Sequence, residues 1–356
     1  MGTIETLSAE GLQRFLLLQA DAVDAVSERF YTEHGAFYEK FGSRGRDFTR
    51  QDIAFHLEFL RPALEFGMLR PMVDYLCWLG GVLAARGIPL DHLALSLDWL
   101  AEFFAGKMAA ADGALVAAAL RGARAQFLEA GAAPIAPPIS PAPWPQVSIF
   151  EAALLAGKPR EALAIMNGCL DEGKNLVEFE LHVIQPALYQ IGEKWETNRI
   201  SVAQEHMATA IVHSVMSVGL LRSPPPAPNG RRLVLACVEG NQHSVGLRMV
   251  ADAFQLAGWE VQYLGANVPS AALVAQVLAW KPDLVGLSMS LAQQLPAVRA
   301  VIAQLQDQLG GNRPPVIVGG LAFNRCNQLV VAANADAFNA DAPTAVRAAE
   351  RIVSAV

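Results

Sequence analysis

The stretch from Arg232 to Gly246 reads RLVLACVEGNQHSVG, and it decides the fold. Residues 232–238 are almost entirely apolar and are followed by Glu239 and Gly240, which predicts a short buried strand. Residues 246–257 then carry apolar side chains at helical spacing. A buried strand, a loop and a helix form the repeating unit of a parallel sheet, whose ligands bind at the carboxyl ends of the strands. The loop of residues 239–245, which carries His243, is therefore a candidate ligand-binding loop.

The same alternation of strands and helices continues towards the C-terminus. Further strands are predicted at Trp259–Leu264, Leu284–Ser290, Pro315–Val318 and Ala337–Asn339. Further helices are predicted at Ala271–Trp280, Leu295–Leu309 and Pro343–Val353. Elements of these lengths in regular alternation predict a Rossmann-like, doubly wound parallel sheet over residues 231–356.

The rest of the chain is predicted to be helical, in two parts that a proline-rich segment separates. Residues 1–130 show apolar residues at three- and four-residue spacing, which predicts an all-helical domain. Residues 131–146 read GAAPIAPPISPAPWPQ and are predicted to form a stiff linker. Residues 147–222 are predicted to form a four-helix bundle, with helices at Ile149–Ala156, Pro159–Glu172, Leu176–Glu196 (kinked at Pro186) and Val202–Leu221. The predicted fold class is mainly α plus α/β.

Composition and charge argue against several classes of protein. The net charge is -7 and Lys and Arg are not clustered, which argues against direct DNA binding because such affinity rests largely on neutralising phosphates. The apolar runs are interrupted well before the ~18 residues that a membrane span needs. The first ten residues are acidic, unlike a secretion signal. Cys77, Cys169, Cys237 and Cys326 lie far apart, so we expect a cytoplasmic protein with reduced thiols.

The loop from Glu239 to Gly246 resembles the D-x-H-x-x-G loop of cobalamin-binding domains of the methionine synthase and methylmalonyl-CoA mutase class. The resemblance implies that His243 is the lower ligand of cobalt and that residue 241 holds the other ring nitrogen. It also implies that Gly246 leaves room for the nucleotide tail of the cofactor. Asn241 stands where that loop has Asp, which should make the imidazole a less basic ligand. H-x-x-G alone is a weak motif, and an exposed loop histidine without a ligand is the alternative.

Other segments of residues 147–356 extend this resemblance. Ser288 and Ser290 end the third predicted strand, where the family places a small hydroxyl residue against the nucleotide tail. Gly319 and Gly320 end the fourth strand, where paired glycines let the tail pass close to the backbone. The implied cofactor-binding residues of this half are Asn241, His243, Val245, Gly246, Leu264, Ser288, Ser290, Gly319 and Gly320.

A second motif lies in the predicted bundle. Trp195 is followed, after nine residues, by Glu205 and His206. This W-x9-E-H pattern resembles that of the cobalamin photoreceptors, the family of the light-dependent MerR-type repressors. The resemblance implies that Trp195 lies over the upper face of the corrin, that Glu205 lies nearby, and that His206 takes the upper cobalt position after photolysis. A packed aromatic residue followed by an ordinary charged pair is the alternative.

The N-terminal domain has no helix-turn-helix of the kind that the photoreceptor repressors carry. It is instead rich in aromatic and histidine side chains: Tyr31, His34, Phe37, Tyr38, His56, Phe59, Phe66, Tyr75, Trp78, His92, Trp99, Phe103 and Phe104. Helical spacing explains many of them as core. A globin-like helical domain beside such a cobalamin module also resembles the photocobilins, which implies bound biliverdin with Arg61 or Arg70 available for its propionate groups.

These features together predict a cobalamin-dependent light sensor, rather than an enzyme, that uses adenosylcobalamin. Its signal is expected to pass through domain rearrangement, an unidentified protein partner, or a change in a homodimer or higher oligomer. Two other functions remain open. One is a corrinoid carrier protein for methyl transfer, which has no need of the W-x9-E-H motif. The other is a cobalamin-responsive antirepressor without photochemistry.

Overall fold

The computed structural model describes residues 4–132 and 141–354, with the side chain of residue 43 left aside. The chain divides into two compact units, Met1–Ala136 and Pro137–Val356. Most of the predicted linker, residues 133–140, lies outside the described residues. The predicted bundle and the predicted sheet both belong to the second unit.

The first unit is helical over its described residues, as predicted. Its α-helices are α1 (Ala9–Tyr38), α2 (Gly42–Phe66), α3 (Arg70–Ala84), α4 (Leu90–Lys107) and α5 (Ala110–Ala130). The hydroxyl of Ser8 caps α1 by accepting a hydrogen bond from the Gly11 amide at 3.0 Å. Phe15, Phe104 and Phe127 are fully buried, so the aromatic residues of α1, α4 and α5 form part of the core.

The helical bundle occupies residues 147–222 of the second unit. Its α-helices are α6 (Val147–Leu155), α7 (Pro159–Asp171), α8 (Leu176–Phe179), α9 (Gln185–Glu196) and α10 (Val202–Arg222). Capping boxes begin α8 at Asn175 and α10 at Ser201. Phe150, Met166, Phe179, Ile191 and Val212 are buried in one core that all five helices share.

A π-helical turn, Glu180–Ile184, joins α8 to α9. The sequence predicted one helix from Leu176 to Glu196 with a kink at Pro186, whereas the irregularity begins before the proline. Pro186 has no N–H group to bond the carbonyl of His182. That carbonyl instead accepts a hydrogen bond from the Trp144 amide at 3.0 Å. The π turn therefore sets the direction of α9, which carries Trp195 at its end.

The second half of this unit is a parallel sheet, as predicted. Its strands are β1 (Arg232–Cys237), β2 (Glu260–Tyr263), β3 (Leu284–Ser288), β4 (Val316–Gly319) and β5 (Ala337–Phe338). Their order is β2-β1-β3-β4-β5, and all pairs are parallel. β1, β3 and most of β4 are buried, as expected for strands covered on both faces. The chain reverses its direction of winding between β1 and β3, and the loops after these strands are where such sheets bind ligands.

Helices separate and cover the strands. They are α11 (Val245–Leu256), α12 (Ser270–Trp280), α13 (Leu295–Leu309), α14 (Leu321–Arg325), α15 (Asn327–Ala333) and α16 (Ala342–Ser354). α13 has the bounds that the sequence predicted, since Pro296 suits the first turn of a helix. The short helices α14 and α15 were not predicted, because each has too few residues to show a hydrophobic period.

Register aligns the carboxyl ends of the central strands. Cys237 of β1 lies beside Ser288 of β3, and Ser288 lies beside Gly319 of β4. The loops that follow these strands therefore emerge side by side from one edge of the sheet. This register brings together the residues that the sequence singled out on three separate segments.

Across residues 4–132 and 141–354, no helix has both the length and the apolar character needed to cross a membrane. Cys77, Cys169, Cys237 and Cys326 are all free thiols.

Candidate functional site

The loop that carries His243 leaves the end of β1 and leads directly into α11. Its backbone is held by two side chains of the sheet. The Cys237 thiol donates to the His243 carbonyl, with an S···O distance of 3.6 Å. The Tyr263 hydroxyl donates to the Ser244 carbonyl at 3.2 Å. The His243 side chain itself remains accessible at the surface, so its ring is free to meet a ligand.

The surroundings of His243 favour its neutral form. Desolvation lowers the pKa of His243, and the carboxylate of Glu205 acts in the opposite direction with a smaller effect. A metal binds the neutral imidazole. The influence of Glu205 is also informative about position, because it comes from α10 of the bundle. Glu205 therefore lies near His243, and Val245, two residues after His243, packs against the core of the bundle.

Asn241 has a different role in this structure from the one expected. Its side chain is fully buried, and its amide nitrogen donates to the Ser288 carbonyl at 2.9 Å. Its amide oxygen accepts from the backbone amide of His243 at 3.1 Å. Asn241 thus holds the backbone of the loop against β3, whereas the sequence led us to expect a bond to the imidazole ring. A carboxylate at this position would face the Ser288 carbonyl without a proton to donate.

Two residues that sequence reasoning missed brace the same loop. The side-chain oxygen of Asn267 accepts a hydrogen bond from the Gly240 amide at 2.8 Å. The backbone amide of Asn267 donates to the Asn241 carbonyl at 2.9 Å. The buried Gln294 donates to the Gly240 carbonyl at 2.9 Å and accepts from the Ser290 amide at 2.9 Å. The backbone of Asn267 is left-handed, with φ at 51°, and asparagine tolerates that conformation better than most residues. Asn267 could have been found from the sequence, because it lies in the GANVP stretch of residues 265–269 that follows the second strand. Gln294 belongs to no motif.

Two glycines at the same edge of the sheet have opposite surroundings, since Gly246 borders open space and Gly320 is in close contact with the backbone. A Cβ atom at Gly246 would meet no other atom within 4 Å, so this side of the loop is open. At Gly320 a Cβ would lie 2.3 Å from the Met289 carbonyl oxygen. Ser288 and Ser290 are buried beside these glycines. The open face at Gly246 fits the cradle that the sequence predicted for a nucleotide tail.

The remaining predicted contacts lie on the two sides of this edge. Leu264 follows β2, and its amide donates to the Leu235 carbonyl at 2.8 Å. Val245 is half-buried at the start of α11 and packs against the bundle core. Trp195 is half-buried at the end of α9. His206 is 74% exposed and its Nδ1 contacts the Glu205 carboxylate, while Glu205 also accepts from the Thr209 hydroxyl at 2.9 Å.

This arrangement suits a large, flat ligand that carries a metal. His243 offers an imidazole from the sheet side, and the exposed His206 offers a second imidazole on the bundle. Gly246 and Gly320 lie at the edge where a tail would enter. The residues present therefore fit a corrinoid, with His243 as the residue that would hold its cobalt.

The first unit contains a separate group of titratable and aromatic side chains. Burial raises the pKa of Asp52 to about 6, and the charge of Asp52 contributes to raised pKa values of both Tyr38 and Tyr75. Tyr38 bonds His92 and Tyr75 bonds His56, each at 2.9 Å. The charge of Asp52 thus acts on the tyrosine of each tyrosine–histidine pair, with a smaller effect than burial.

The arginines that the sequence suggested for propionate groups are already paired. Arg61 contacts Glu65 at 2.8 Å and Arg70 contacts Asp74 at 2.6 Å, each one helical turn along its own helix. Two other cationic side chains lie against aromatic rings of α1. Lys40 is 4.1 Å from the centre of the Phe37 ring, and Arg46 is 4.6 Å from the centre of the Tyr31 ring. An anion that bound Arg61 or Arg70 would therefore compete with Glu65 or Asp74 for the guanidinium group.

Comparisons with known proteins agree with the site. Residues 231–350 and residues 150–218 each match a family model described as a B12 binding domain. The first match covers the parallel sheet and the second covers most of the helical bundle. Both halves that contribute candidate ligands are therefore matched independently.

Curated relatives include two HTH-type transcriptional repressors of Myxococcus xanthus. CarA is 33% identical over 156 residues, which make up 43% of this chain and 51% of CarA. CarH is 35% identical over 153 residues, which make up 42% of this chain and 50% of CarH. The chain thus spans about half the length of these relatives.

A third relative is dimethylamine corrinoid protein 3 of Methanosarcina acetivorans. It is 28% identical over 140 residues, which make up 38% of this chain and 65% of that protein. The relatives thus include both regulators and corrinoid proteins. The fold and the two family matches agree that this chain carries a cobalamin-binding module, formed by residues 150–218 and 231–350.

Proposed function

We propose that this protein is a light sensor that binds adenosylcobalamin between the helical bundle and the parallel sheet. The observation that carries the proposal is that the start of α11, directly after the histidine loop, packs against the bundle core at Val245, with Glu205 of α10 near His243. This contact supports a site between the bundle, which carries the W-x9-E-H motif, and the histidine loop of the sheet. A corrin bound there would have a candidate ligand on each face.

Each residue has a distinct part in this proposal. His243 would hold cobalt as a neutral imidazole, and Asn241 fixes the backbone on which His243 stands. Trp195 covers the upper face of the corrin. His206 lies beside Glu205, whose carboxylate orients the imidazole and makes it a better donor. Gly246 leaves the open space for the nucleotide tail.

Light would act on the bond between cobalt and the adenosyl group, which adenosylcobalamin supplies when bound. The chain would respond through the residues that this group touches. Trp195 and His206 belong to the bundle, so losing the adenosyl group changes the contacts that keep the bundle against the sheet. This is a two-state element biased by a ligand. We propose that the output is a changed contact with an unidentified protein partner or within a homodimer or higher oligomer, rather than direct DNA binding.

His206→Ala tests the proposed upper ligand. We expect the variant to bind adenosylcobalamin and to lose the adenosyl group in green light as the wild type does, because the dark ligands are unchanged. The absorption spectrum after illumination should differ, because alanine cannot take the vacated position. Met207→Ala is the matched control, since Met207 is also accessible on α10, with 36% of its surface exposed. Identical illuminated spectra for wild type and His206→Ala would remove His206 from the mechanism.

The second candidate function is a corrinoid carrier for methyl transfer. The match to a dimethylamine corrinoid protein favours it. A carrier has to release and regain a methyl group at the upper face, whereas Trp195 and His206 would cover that face. Methyl transfer from methylcobalamin-loaded protein to an acceptor thiol would support the carrier. An antirepressor without photochemistry would respond equally to cobalamin in darkness and in light.

We also propose that the first unit binds a bilin such as biliverdin, in a domain of globin-like type. The observation that favours this is Asp52, a carboxyl group whose pKa is raised by burial and whose charge acts on both Tyr38 and Tyr75. Pyrrole N–H groups are donors that suit such a carboxylate, and the stacked pair of Phe59 and Tyr75, with ring centres 3.8 Å apart, offers a flat wall. Lys40 and Arg46 are the cations available for propionate groups.

Asp52→Asn tests the bilin proposal. We expect wild-type protein made together with biliverdin to absorb red light, and the variant to lose most of that absorption. The variant should nevertheless be more stable than the wild type without bilin above pH 6. The folded-state pKa of Asp52 is raised to about 6, so the ionised group costs stability as pH rises through that value. The gain should be roughly 1 kcal/mol, because partial exposure screens the full shift. Colourless wild-type protein would contradict the proposal.

A further inference from the structure

α11 connects the histidine loop to the bundle. It begins one residue after Ser244, and its two faces lie against two different cores. Val245, Met249 and Leu256 pack against the bundle core. Leu247, Ala251 and Phe254 pack against the sheet. Any change in how the bundle contacts the first of these faces is therefore transmitted to the loop that carries His243.

A buried acidic residue interrupts the apolar face towards the bundle. Asp252 is fully buried there, and one of its oxygens accepts from Arg248 at 2.7 Å. Glu180, which is also fully buried and belongs to the π turn of the bundle, is close enough to Asp252 for the two carboxyl groups to interact through a hydrogen bond. π turns are rare and often occur at functional positions. Here the π turn carries the glutamate that meets α11.

The two carboxyl groups can satisfy each other only by sharing a proton. Within the described ranges, neither oxygen of Glu180 nor Oδ2 of Asp252 has a hydrogen-bond donor. Two ionised carboxylates in contact would repel, and an unsatisfied buried charge is costly. One proton between the two groups removes both problems, because a protonated carboxyl group is a donor.

The charges around the pair indicate where the proton resides. Burial raises the pKa of Glu180 well above its usual range, the negative charge of Asp252 adds to this, and Arg248 opposes it. Burial also raises the pKa of Asp252, but its bond to Arg248 counteracts that rise. Glu180 therefore stays protonated and donates a hydrogen bond to Asp252, which stays ionised beside Arg248.

Two further titratable groups face this cluster from other elements. His213 of α10 is near enough to Arg248 for that charge, together with burial, to lower its pKa. Tyr263 of β2 has its ring centre 5.9 Å from the Arg248 guanidinium, and its hydroxyl bonds the Ser244 carbonyl. The cluster thus reaches from the π turn, through Asp252, Arg248 and Tyr263, to the residue next to His243.

We propose that Glu180 is a positioning residue whose proton, shared with Asp252, holds α11 against the bundle and so fixes the loop that carries His243. The part of this proposal that concerns cobalt rests on the proposed function. The part that concerns the shared proton does not, because it is a property of the protein without cofactor.

The shared proton is tested by the pH dependence of unfolding of the full chain without cofactor, for wild type and Glu180→Gln. Glutamine keeps a donor towards Asp252 but cannot ionise. In the wild type, folded Glu180 keeps its proton while the unfolded chain loses it above the ordinary carboxyl pKa. The ratio of the unfolding constant of wild type to that of Glu180→Gln should therefore rise about tenfold per pH unit, from about pH 4.5 up to the raised pKa. Comparing the two proteins cancels the histidines and Asp52, which both contain.

Glu151→Gln is the matched control, because Glu151 is another buried glutamate of the bundle and is paired with Lys194. The ratio of the unfolding constant of wild type to that of Glu151→Gln should not show the tenfold rise per pH unit. Parallel pH curves for wild type and Glu180→Gln would overturn the shared proton. If Glu180→Gln does not fold, Asp252→Asn serves instead. Removing the Asp252 charge lowers the folded-state pKa of Glu180, so the fall in stability should still begin near pH 4.5 but should end at a lower pH than in the wild type. An unchanged curve would equally overturn the proposal.

The link to His243 is tested by electron paramagnetic resonance of the Co(II) cobalamin-loaded chain. Glu180→Gln should keep the axial nitrogen coupling of the wild type, whereas Glu180→Ala should weaken or broaden it. A coupling that is equal in wild type, Glu180→Gln and Glu180→Ala would overturn the positioning role. A wild type without any nitrogen coupling would instead refute the ligand role of His243, so the two failures are distinguishable.

Discussion

His243→Ala is expected to remove the axial nitrogen coupling from the electron paramagnetic resonance spectrum of Co(II) cobalamin bound to this protein. The loop after β1 presents the imidazole at the surface, and its lowered pKa keeps the ring neutral and able to bind a metal. The variant should retain some cobalamin through the contacts at the other strand ends. Affinity should fall by roughly 100-fold, because even partners of a metal ligand typically contribute 10–100-fold.

His182→Ala is the matched control for this variant. His182 belongs to the same unit, but its ring stacks on Trp144 with centres 5.0 Å apart, and its Nδ1 bonds the Ala142 carbonyl. The control should therefore keep the nitrogen coupling. A coupling that persists in His243→Ala would mean that another group, such as the cofactor's own base, holds the lower position.

Gly320→Ala is expected to have the largest effect on stability. Gly320 has φ 106° and ψ 171°, a region of backbone conformation that is open almost only to glycine. Its added methyl group would also lie 2.3 Å from the Met289 carbonyl oxygen, so β3 and β4 would have to separate. We expect a loss of about 3 kcal/mol, measured as a lower urea midpoint of the second unit. Cobalamin binding should be lost with it.

Gly246→Ala is the contrasting control, because a methyl group there meets no protein atom within 4 Å. It should leave the urea midpoint unchanged and weaken cobalamin binding by roughly tenfold or more, since the methyl group would occupy the open cradle. Equal stabilities of Gly320→Ala and the wild type would contradict the backbone argument. Undiminished cobalamin affinity in Gly246→Ala would mean that the tail does not pass this position.

The parallel sheet could be predicted because its signals are local. Each buried strand is a short apolar run, and each helix shows a clear period, so the order of elements and the edge that carries the site followed directly. The pattern also located His243, Ser288 and Gly320 at strand ends. Their side-by-side arrangement depends on register, which the sequence does not contain, and which the structure supplies through the pairing of β1, β3 and β4.

The features that could not be predicted depend on contacts between distant segments. The role of Asn241 is set by a backbone carbonyl 47 residues away, at Ser288. Gln294 braces the loop from 54 residues away and belongs to no motif. The buried pair of Glu180 and Asp252 looks in sequence like two ordinary surface acids on helices. In each case the partner is specified only by the fold.

In the N-terminal unit, two ion pairs could have been predicted from a local signal. Arg61 and Arg70 each have a carboxylate four residues later, at Glu65 and Asp74, and such pairs usually form on a helix. The ion pairs of the structure follow this rule. The aromatic residues were correctly identified as core in part, since Phe104 is fully buried. A ligand role for the other aromatic residues could not be predicted in the same way. The effect of Asp52 on Tyr38 and Tyr75 exists only once α1, α2 and α3 have packed together.

The central claim is that light, acting on bound adenosylcobalamin, changes how this protein holds its domains or its partner copies. The most direct measurement is size-exclusion chromatography and limited proteolysis of the adenosylcobalamin-loaded chain, in darkness and after green light, with the absorption spectrum recorded on the same sample. We predict an irreversible spectral change accompanied by a different elution volume or cleavage pattern, and no light effect in hydroxocobalamin-loaded protein. Complete loss of the adenosyl group with unchanged elution and cleavage would contradict the account.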